Sequence, residues 1–292
     1  MAAKRIGHIA LRGMLPKFQL NCLHLFAFCV GTVRSARSQL LNACVDILWA
    51  YRRYCASNNA HRQLVLPEAL KLLPLYTIGL LKNSLLRDSV PSDERGFYIA
   101  YTMHMTCENS LAFVHPYLHP MHALSDTECV LSETGRVLRP INTELKYDQM
   151  HQDGLYVMDC GTKIYVVYGV ELNPDIFDSC FVVNETSPKH GGEVELREWG
   201  FEENDPGYRL TLMLQELRTD RPFWLKTEVL RLPNTKDHDQ TLSMDQHTFL
   251  GHLIEDASRK SYRKKSPEVM SYVDFLVHIH RMIQRKFNEE MY

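Results

Sequence analysis

Apolar residues recur at helical spacing through the first third of the chain. From position 38, "SQLLNACVDILWAYRRYCA" places Leu41, Cys44, Val45, Leu48, Tyr51 and Cys55 along one stripe and leaves Arg52 and Arg53 for water. "SNNAHR" breaks the period. Pro67 then opens "PEALKLLPLYTIGLLKNSLL", with Glu68 in the first turn. This segment is apolar on nearly every side, which predicts a central buried helix, and Pro74 is expected to kink or interrupt it. In "SVPSDERGFYIAYTMHM", Ser92 reads as an N-cap, followed by Asp93 and Glu94 at the positive end of the helix. The shorter "ENSLAFVHPYL" completes four or five helices with short connections over 36–118.

The period changes near 126. "SDTECVLSETGRVLRPINTE" sustains no helical spacing and contains Gly135 and Pro140. "GLYVMDCGTKIYVVYGVEL" reads as a hairpin. Leu155 and Val157 alternate with Tyr156 and Met158, Gly161 sits at the reversal, and Ile164 to Tyr168 form a buried strand. Asn173 and Pro174 supply an N-cap and first residue for a short helix ending near Cys180. The polar stretch "SPKHGGEVELREWGFEENDPG" predicts a surface excursion. Leu210, Met213, Leu214 and Leu217 mark a one-faced helix, and "FWLKTEVL" another strand. A further amphipathic helix is expected around Gln246, Phe249, Leu250, Leu253 and Ile254. Ser266 and Pro267 open the last helix, with Val269, Tyr272, Val273, Leu276, His280, Ile283 and Phe287 in one stripe and His278, Arg281 and Arg285 off it. The expected fold is therefore an all-α helical bundle over 36–125, followed over 126–292 by an α+β domain, a mixed sheet flanked by helices.

Composition narrows the function classes. At 292 residues, 45% hydrophobic and 23% charged, the chain is ordinary globular protein. Its formal charge of −2 provides no field that gathers nucleic acid. The eight cysteines, Cys22, Cys29, Cys44, Cys55, Cys107, Cys129, Cys160 and Cys180, form no C-x-x-C pair and lie within apolar patterns, as buried free thiols of a reducing compartment do. Residues 1–35 stand apart. The first 45 positions hold six Lys or Arg and no acid, and "LHLFAFCVG" is too short to span a bilayer. Targeting and packing against the following helix are both readings of this basic segment.

One cluster looks chemical. "HPYLHPMHAL" spaces His115, His119 and His122 four and three residues apart, the spacing of metal ligands on a helix. A metal pair at i, i+4 needs an unbroken helix. His115 precedes Pro116 and His119 precedes Pro120, and a residue before proline is pushed out of the helical region. The rings are expected instead to cap loop backbone groups or to pack at the end of the bundle. No H-E-x-x-H, G-x-S-x-G or Walker-type loop occurs, and "DCGTK" is a turn. Glu202, Glu203 and Asp205 read as a solvated loop, as does the basic "SRKSYRKKS". No catalytic, cofactor-binding or metal-binding residue is assigned, and no cofactor is expected.

Several ordered blocks resemble one family. "LLNACVDILWAYRRYCA", "QLVLPEALKLLPLYTIGLLKNSLLR", "SDERGFYIAY" and "HPYLHPMHAL" are similar to the helical domain of the Sec twenty-four family, the cargo adaptors of the COPII vesicle coat. "HQDGLYVMDCGTKIYVVYGVELNPDIF" resembles the start of its gelsolin-like domain, and "HLIEDAS" and "SYVDFLVHIHRMIQ" its C-terminal end. The resemblance runs from about 36 to 286. In the family, tyrosines commonly stand where His115 and His119 stand here; only His122 matches a usual histidine, so the resemblance implies that two members of the apparent trio replace aromatic packing residues. The resemblance implies a non-catalytic coat component acting in endoplasmic reticulum to Golgi transport and cargo selection. It also implies a cytoplasmic location, with peripheral association with the membrane through the coat. The upstream arm, zinc finger, trunk and β-barrel of the family have no counterpart here, so the chain is expected to be a truncated or partial adaptor. The implied partners are Sec twenty-three type subunits, bound weakly without the trunk, and cargo sorting signals, with no nucleic acid. The alternatives are a gelsolin-type actin-binding module and, behind it, a histidine-dependent metalloenzyme.

Overall fold

A computed structural model describes residues 33–55, 63–87, 90–184, 193–198, 205–219, 221, 223–233, 242–257 and 267–289. The basic start of the chain, Cys22, Cys29, Glu202, Glu203 and all of "SRKSYRKKS", including the Ser266 expected to open the last helix, lie outside them. The chain divides into two compact units, Met1–Ser110 with Ile254–Tyr292, and Leu111–Leu253. This division differs from the 36–125 and 126–292 expected from sequence. The reason is physical: the strand at 117–120 already pairs with the sheet, and the last helix packs with the first helices.

In the first unit, α1 (Val33–Cys55) buries Ala36, Leu40, Cys44, Leu48 and Arg52 at four-residue steps, with Val45 beside them. The stripe is rotated from the expected one. Leu41 and Tyr51 are half-buried and Cys55 is exposed, whereas Arg52 goes inside. Its guanidinium lies 5.5 Å from the centroid of the Phe287 ring, whose other neighbour is Trp49 at 6.0 Å. A cation over an aromatic face keeps electrostatic compensation after losing water. Pro74 does interrupt the next segment. A 3-10 turn at Glu68–Leu70 stops, and α2 (Leu73–Lys82) starts afresh with Pro74 in its first turn, where a missing N–H costs nothing. Most of α2 is buried, including Thr77, Ile78, Leu81 and Lys82.

α3 (Ser92–Met103) carries Asp93 and Glu94 in its first turn as expected, but Pro91 is the cap and Ser92 the first helical residue. α4 is Cys107–Val114. The last helix, numbered α8, spans Tyr272–Glu289 and buries Phe275, Ile279 and Ile283, again at four-residue steps. Leu276, His280 and Phe287 flank that stripe half-buried, and Val273 is exposed.

The second unit is built on a four-stranded sheet ordered β1-β2-β3-β6. The strands are β1 (Tyr117–Pro120), β2 (Leu155–Asp159), β3 (Lys163–Tyr168) and β6 (Lys226–Arg231). β1–β2 and β2–β3 are antiparallel. β6 runs parallel to β3, with Val166 opposite Val229, so the chain crosses over between them. Gly161 turns the β2–β3 hairpin at φ +76, and a Cβ there would lie 2.7 Å from the backbone N of Phe113. Only glycine satisfies both demands.

The crossover holds α5 (Pro174–Cys180), β4 (Phe181–Asn184), β5 (Glu193–Leu196) and α6 (Pro206–Thr219). Asn173 caps α5 by accepting the Asp175 N–H, with Pro174 in the first turn, as the sequence predicts. β5 falls inside the stretch expected to be a surface excursion. It pairs with β4, and Val194 and Leu196 alternate inward against the core. α6 buries Leu210, Met213, Leu214 and Leu217 against Leu155, Val157, Ile164 and Val166 of the sheet. α7 (Met244–Gly251) opens with a capping box between Ser243 and Gln246, so Gln246 serves the helix end rather than an apolar face. Its Phe249 meets Tyr165 edge-on at 5.7 Å.

Candidate functional site

The three histidines occupy three different kinds of backbone. His115 follows α4, half-buried, with its N–H on the Leu111 carbonyl at 2.7 Å. His119 lies within β1, buried, with Nδ1 2.9 Å from the Pro140 carbonyl. His122 lies past the strand, its Nδ1 3.2 Å from both the N and the O of Leu155, and its ring meets Tyr156 edge-on at 5.1 Å. The prolines do what the sequence argument requires of them. They end the helix, and a strand residue and a turn residue replace what would have been one helical face. The His119 and His122 rings satisfy backbone groups, as expected of capping residues. Among the described residues no three His, Cys, Asp or Glu side chains group as metal ligands would.

His119 is held neutral. Burial pushes its pKa down to about 4; the Pro140 carbonyl resists this shift and Arg139 adds to it. A neutral ring with Nδ1 protonated donates to that carbonyl. Four buried thiols are equally inert. Burial raises Cys44 to about 11 and Cys129 and Cys180 to about 12, and Cys160 well above its ordinary value. A protonated thiol is neither nucleophile nor ligand.

Charged groups are buried where local pattern offers little warning. Asp159 ends β2 with its carboxylate on Arg221, and also accepts the Gly161 N–H at 2.8 Å. Burial raises its pKa, against the pull of Arg221. Glu216, on the inner side of α6, holds Arg136 at 3.3 Å and Arg139 at 3.7 Å, while its second oxygen lies 3.4 Å from the Val137 N. Lys163 and Glu228 pair at 3.1 Å across β3 and β6. In the first unit the buried Lys82 donates to the carbonyls of Ile254 and Asp256 at 2.6 and 2.5 Å, and burial lowers its pKa to about 8. The one legible signal was "DCG", in which an Asp two residues before a Gly folds back on that N–H. The arginine and lysine partners are distant in sequence and carried no signal.

These groups brace elements; none is paired as nucleophile with base, or as acid with base, around an opening. What they fix is a scaffold: a helical unit, and a mixed sheet with helices. Residues 25–112 match the family model of the Sec23/Sec24 helical domain, so the match reaches into the 1–35 segment that sequence reading set apart. The chain is similar over most of its length to Sec24 proteins. It is 30% identical over 252 residues to the protein transport protein SEC24 B of Arabidopsis thaliana, covering 86% of this chain and 21% of the relative. It is 27% identical over 254 residues to human Sec24D, covering 86% and 22%. The chain thus spans about a fifth of the length of the curated relatives it matches. The crystal structure of the human COPII-coat protein Sec24c superposes over 93% of this chain and 33% of that one, with TM-score 0.71 and 22% identity, a likeness of fold. The helical domain followed by a mixed sheet with helices therefore stands, as does the resemblance drawn from the ordered sequence blocks. No helix among the described residues is long and apolar enough to cross a membrane.

Proposed function

We propose that this chain is a non-catalytic part of a COPII cargo adaptor, serving endoplasmic reticulum to Golgi transport. The observation that carries the reading is likeness to Sec24 transport proteins along 86% of the chain, beginning in the helical domain and continuing through the sheet. The chemistry agrees. Asp159 and Glu216 are paired with arginines for support, and the buried thiols of Cys44, Cys129, Cys160 and Cys180 and the ring of His119 are held in unreactive protonation states. In this reading residues 36–125 and 126–292 are the family's helical and gelsolin-like stretches, even though α8 packs with the former. The partners are other coat subunits of the Sec23 type and cargo sorting signals, and the chain reaches the cytosolic face of the endoplasmic reticulum peripherally through the coat.

Cells carrying a tagged copy test this. The tagged chain is expected to concentrate at endoplasmic reticulum exit sites, and its removal to slow transit of a secreted reporter. Diffuse staining with unchanged transit overturns the reading. Saturable cosedimentation with filamentous actin would move the assignment to the actin-binding alternative.

A further inference from the structure

The connection from α6 to β6 presents Trp224, which at 77% exposure is the most exposed large aromatic of the described residues. Phe223 beside it is 45% exposed. Large aromatics left in water are informative, because each forgoes burial worth about 2 kcal/mol or more. Trp224 is not loose. The Arg218 guanidinium lies 4.1 Å from its ring centroid. That guanidinium is itself fixed, donating to Thr227 Oγ1 at 2.6 Å and to the Leu225 carbonyl at 3.4 Å. One indole face is therefore held against a cation while much of the ring remains in water.

The local charge is positive. Lys226, 77% exposed, shares the single carboxylate of Glu228 with Lys163, at 3.4 and 3.1 Å. Arg221 is matched by Asp159, and Arg218 stacks on the ring and bonds to neutral groups. Among the described residues, four cations here, Lys163, Arg218, Arg221 and Lys226, face two carboxylates, Asp159 and Glu228.

We propose that this corner, Trp224 and Phe223 over Arg218 with Lys226 two residues on, docks a short acidic segment of a partner protein that carries a large apolar side chain beside its carboxylates. Trp and Arg held rigid at the centre of a small surface are the residue types that dominate protein interfaces. Pre-ordering the stack removes part of the entropy lost on binding. The surplus positive charge selects carboxylates over ammonium groups. A bilayer fits less well, since lowering Trp224 among acyl chains would drag the fixed Arg218 guanidinium with it. A nucleic acid strand asks for a succession of stacking rings along a basic groove, and this chain is acidic overall.

Fluorescence anisotropy with a labelled synthetic peptide alternating Glu and Leu tests the proposal, alongside a twin in which Gln replaces Glu. The Glu peptide is expected to bind, and the Gln twin to bind roughly tenfold more weakly or worse. Trp224→Ala and Lys226→Glu are each expected to weaken the Glu peptide by roughly tenfold. Both side chains are exposed, so unchanged thermal melting separates lost binding from lost folding. The proposal is overturned by absence of peptide binding, by equal binding of the Gln twin, or by indifference to Trp224→Ala. It is equally overturned if vesicles of phosphatidylcholine and phosphatidylserine bind through Trp224 while the peptide does not. A dimer in sedimentation that is lost in Trp224→Ala, with no peptide bound, would hand the surface to a second copy of the chain.

Discussion

The Asp159 carboxylate and the Arg221 guanidinium meet inside the second unit, 0% and 5% exposed, joining the end of β2 to the residues after α6. Two buried charges are tolerable only together. Arg221→Ala or Asp159→Ala leaves the other ion uncompensated and is expected to cost about 3–5 kcal/mol, read as a lower urea midpoint. The double change Asp159→Asn with Arg221→Met is expected to recover much of that loss. If the double variant is as unstable as the sum of the singles, the pair is not what holds this corner.

Gly161→Ala combines two penalties. The left-handed backbone disfavours any Cβ, and here that Cβ would press on Phe113 backbone atoms at 2.7–2.9 Å. A loss above about 2 kcal/mol is expected, since neither the hairpin nor the Phe113 main chain can yield cheaply. Circular dichroism melts against the unaltered chain measure it.

His119 makes stability depend on acidity. Its folded pKa of about 4 lies below the ordinary 6.5, so between those values the unfolded chain binds a proton that the folded chain refuses. Stability is full above about 6.5 and falls as pH drops toward about 4, by about 3 kcal/mol for this residue. His119→Gln is expected to flatten that slope in chemical denaturation curves. A residual slope should remain, because His278 and His280 are also shifted down by burial and neighbouring arginines. The same preparations, analysed for metals, are expected to contain no stoichiometric zinc.

Lys82→Ala removes both hydrogen bonds to the Ile254 and Asp256 carbonyls. Two acceptors are left short, for an expected loss of about 1–3 kcal/mol. Amide exchange within 272–289 should quicken before exchange in the sheet. Uniform quickening across both units would show that Lys82 is not a local fastener.

The elements were largely legible because periodicity and caps are local. Asn173–Pro174, Pro74, Gly161 and the α6 stripe all sit where sequence reading placed them. Errors arose where a partner far along the chain decides. Arg52 reads as a surface residue until Phe287 arrives to cover it, and the α1 and α8 stripes are rotated for the same reason. β5 was hidden because a four-residue strand needs β4 to reveal it. The helical spacing of the histidines does not make one helix face, and the adjacent Pro116 and Pro120 foretell this through local sterics alone. The buried acids were not legible: an Asp or Glu looks the same in sequence whether its guanidinium is absent or about sixty residues away, as Arg221 is from Asp159.

α8 completes the unit that α1 begins, although the whole sheet-bearing stretch is synthesised between them. A ribosome therefore releases α1 with the place of Phe287 beside Trp49 and Arg52 empty, and it stays so until the sheet-bearing stretch has been made. An interruption of synthesis between α2 and α8 would consequently leave its damage in helices made before the break, and a quality-control protease would meet the fault there rather than at the break.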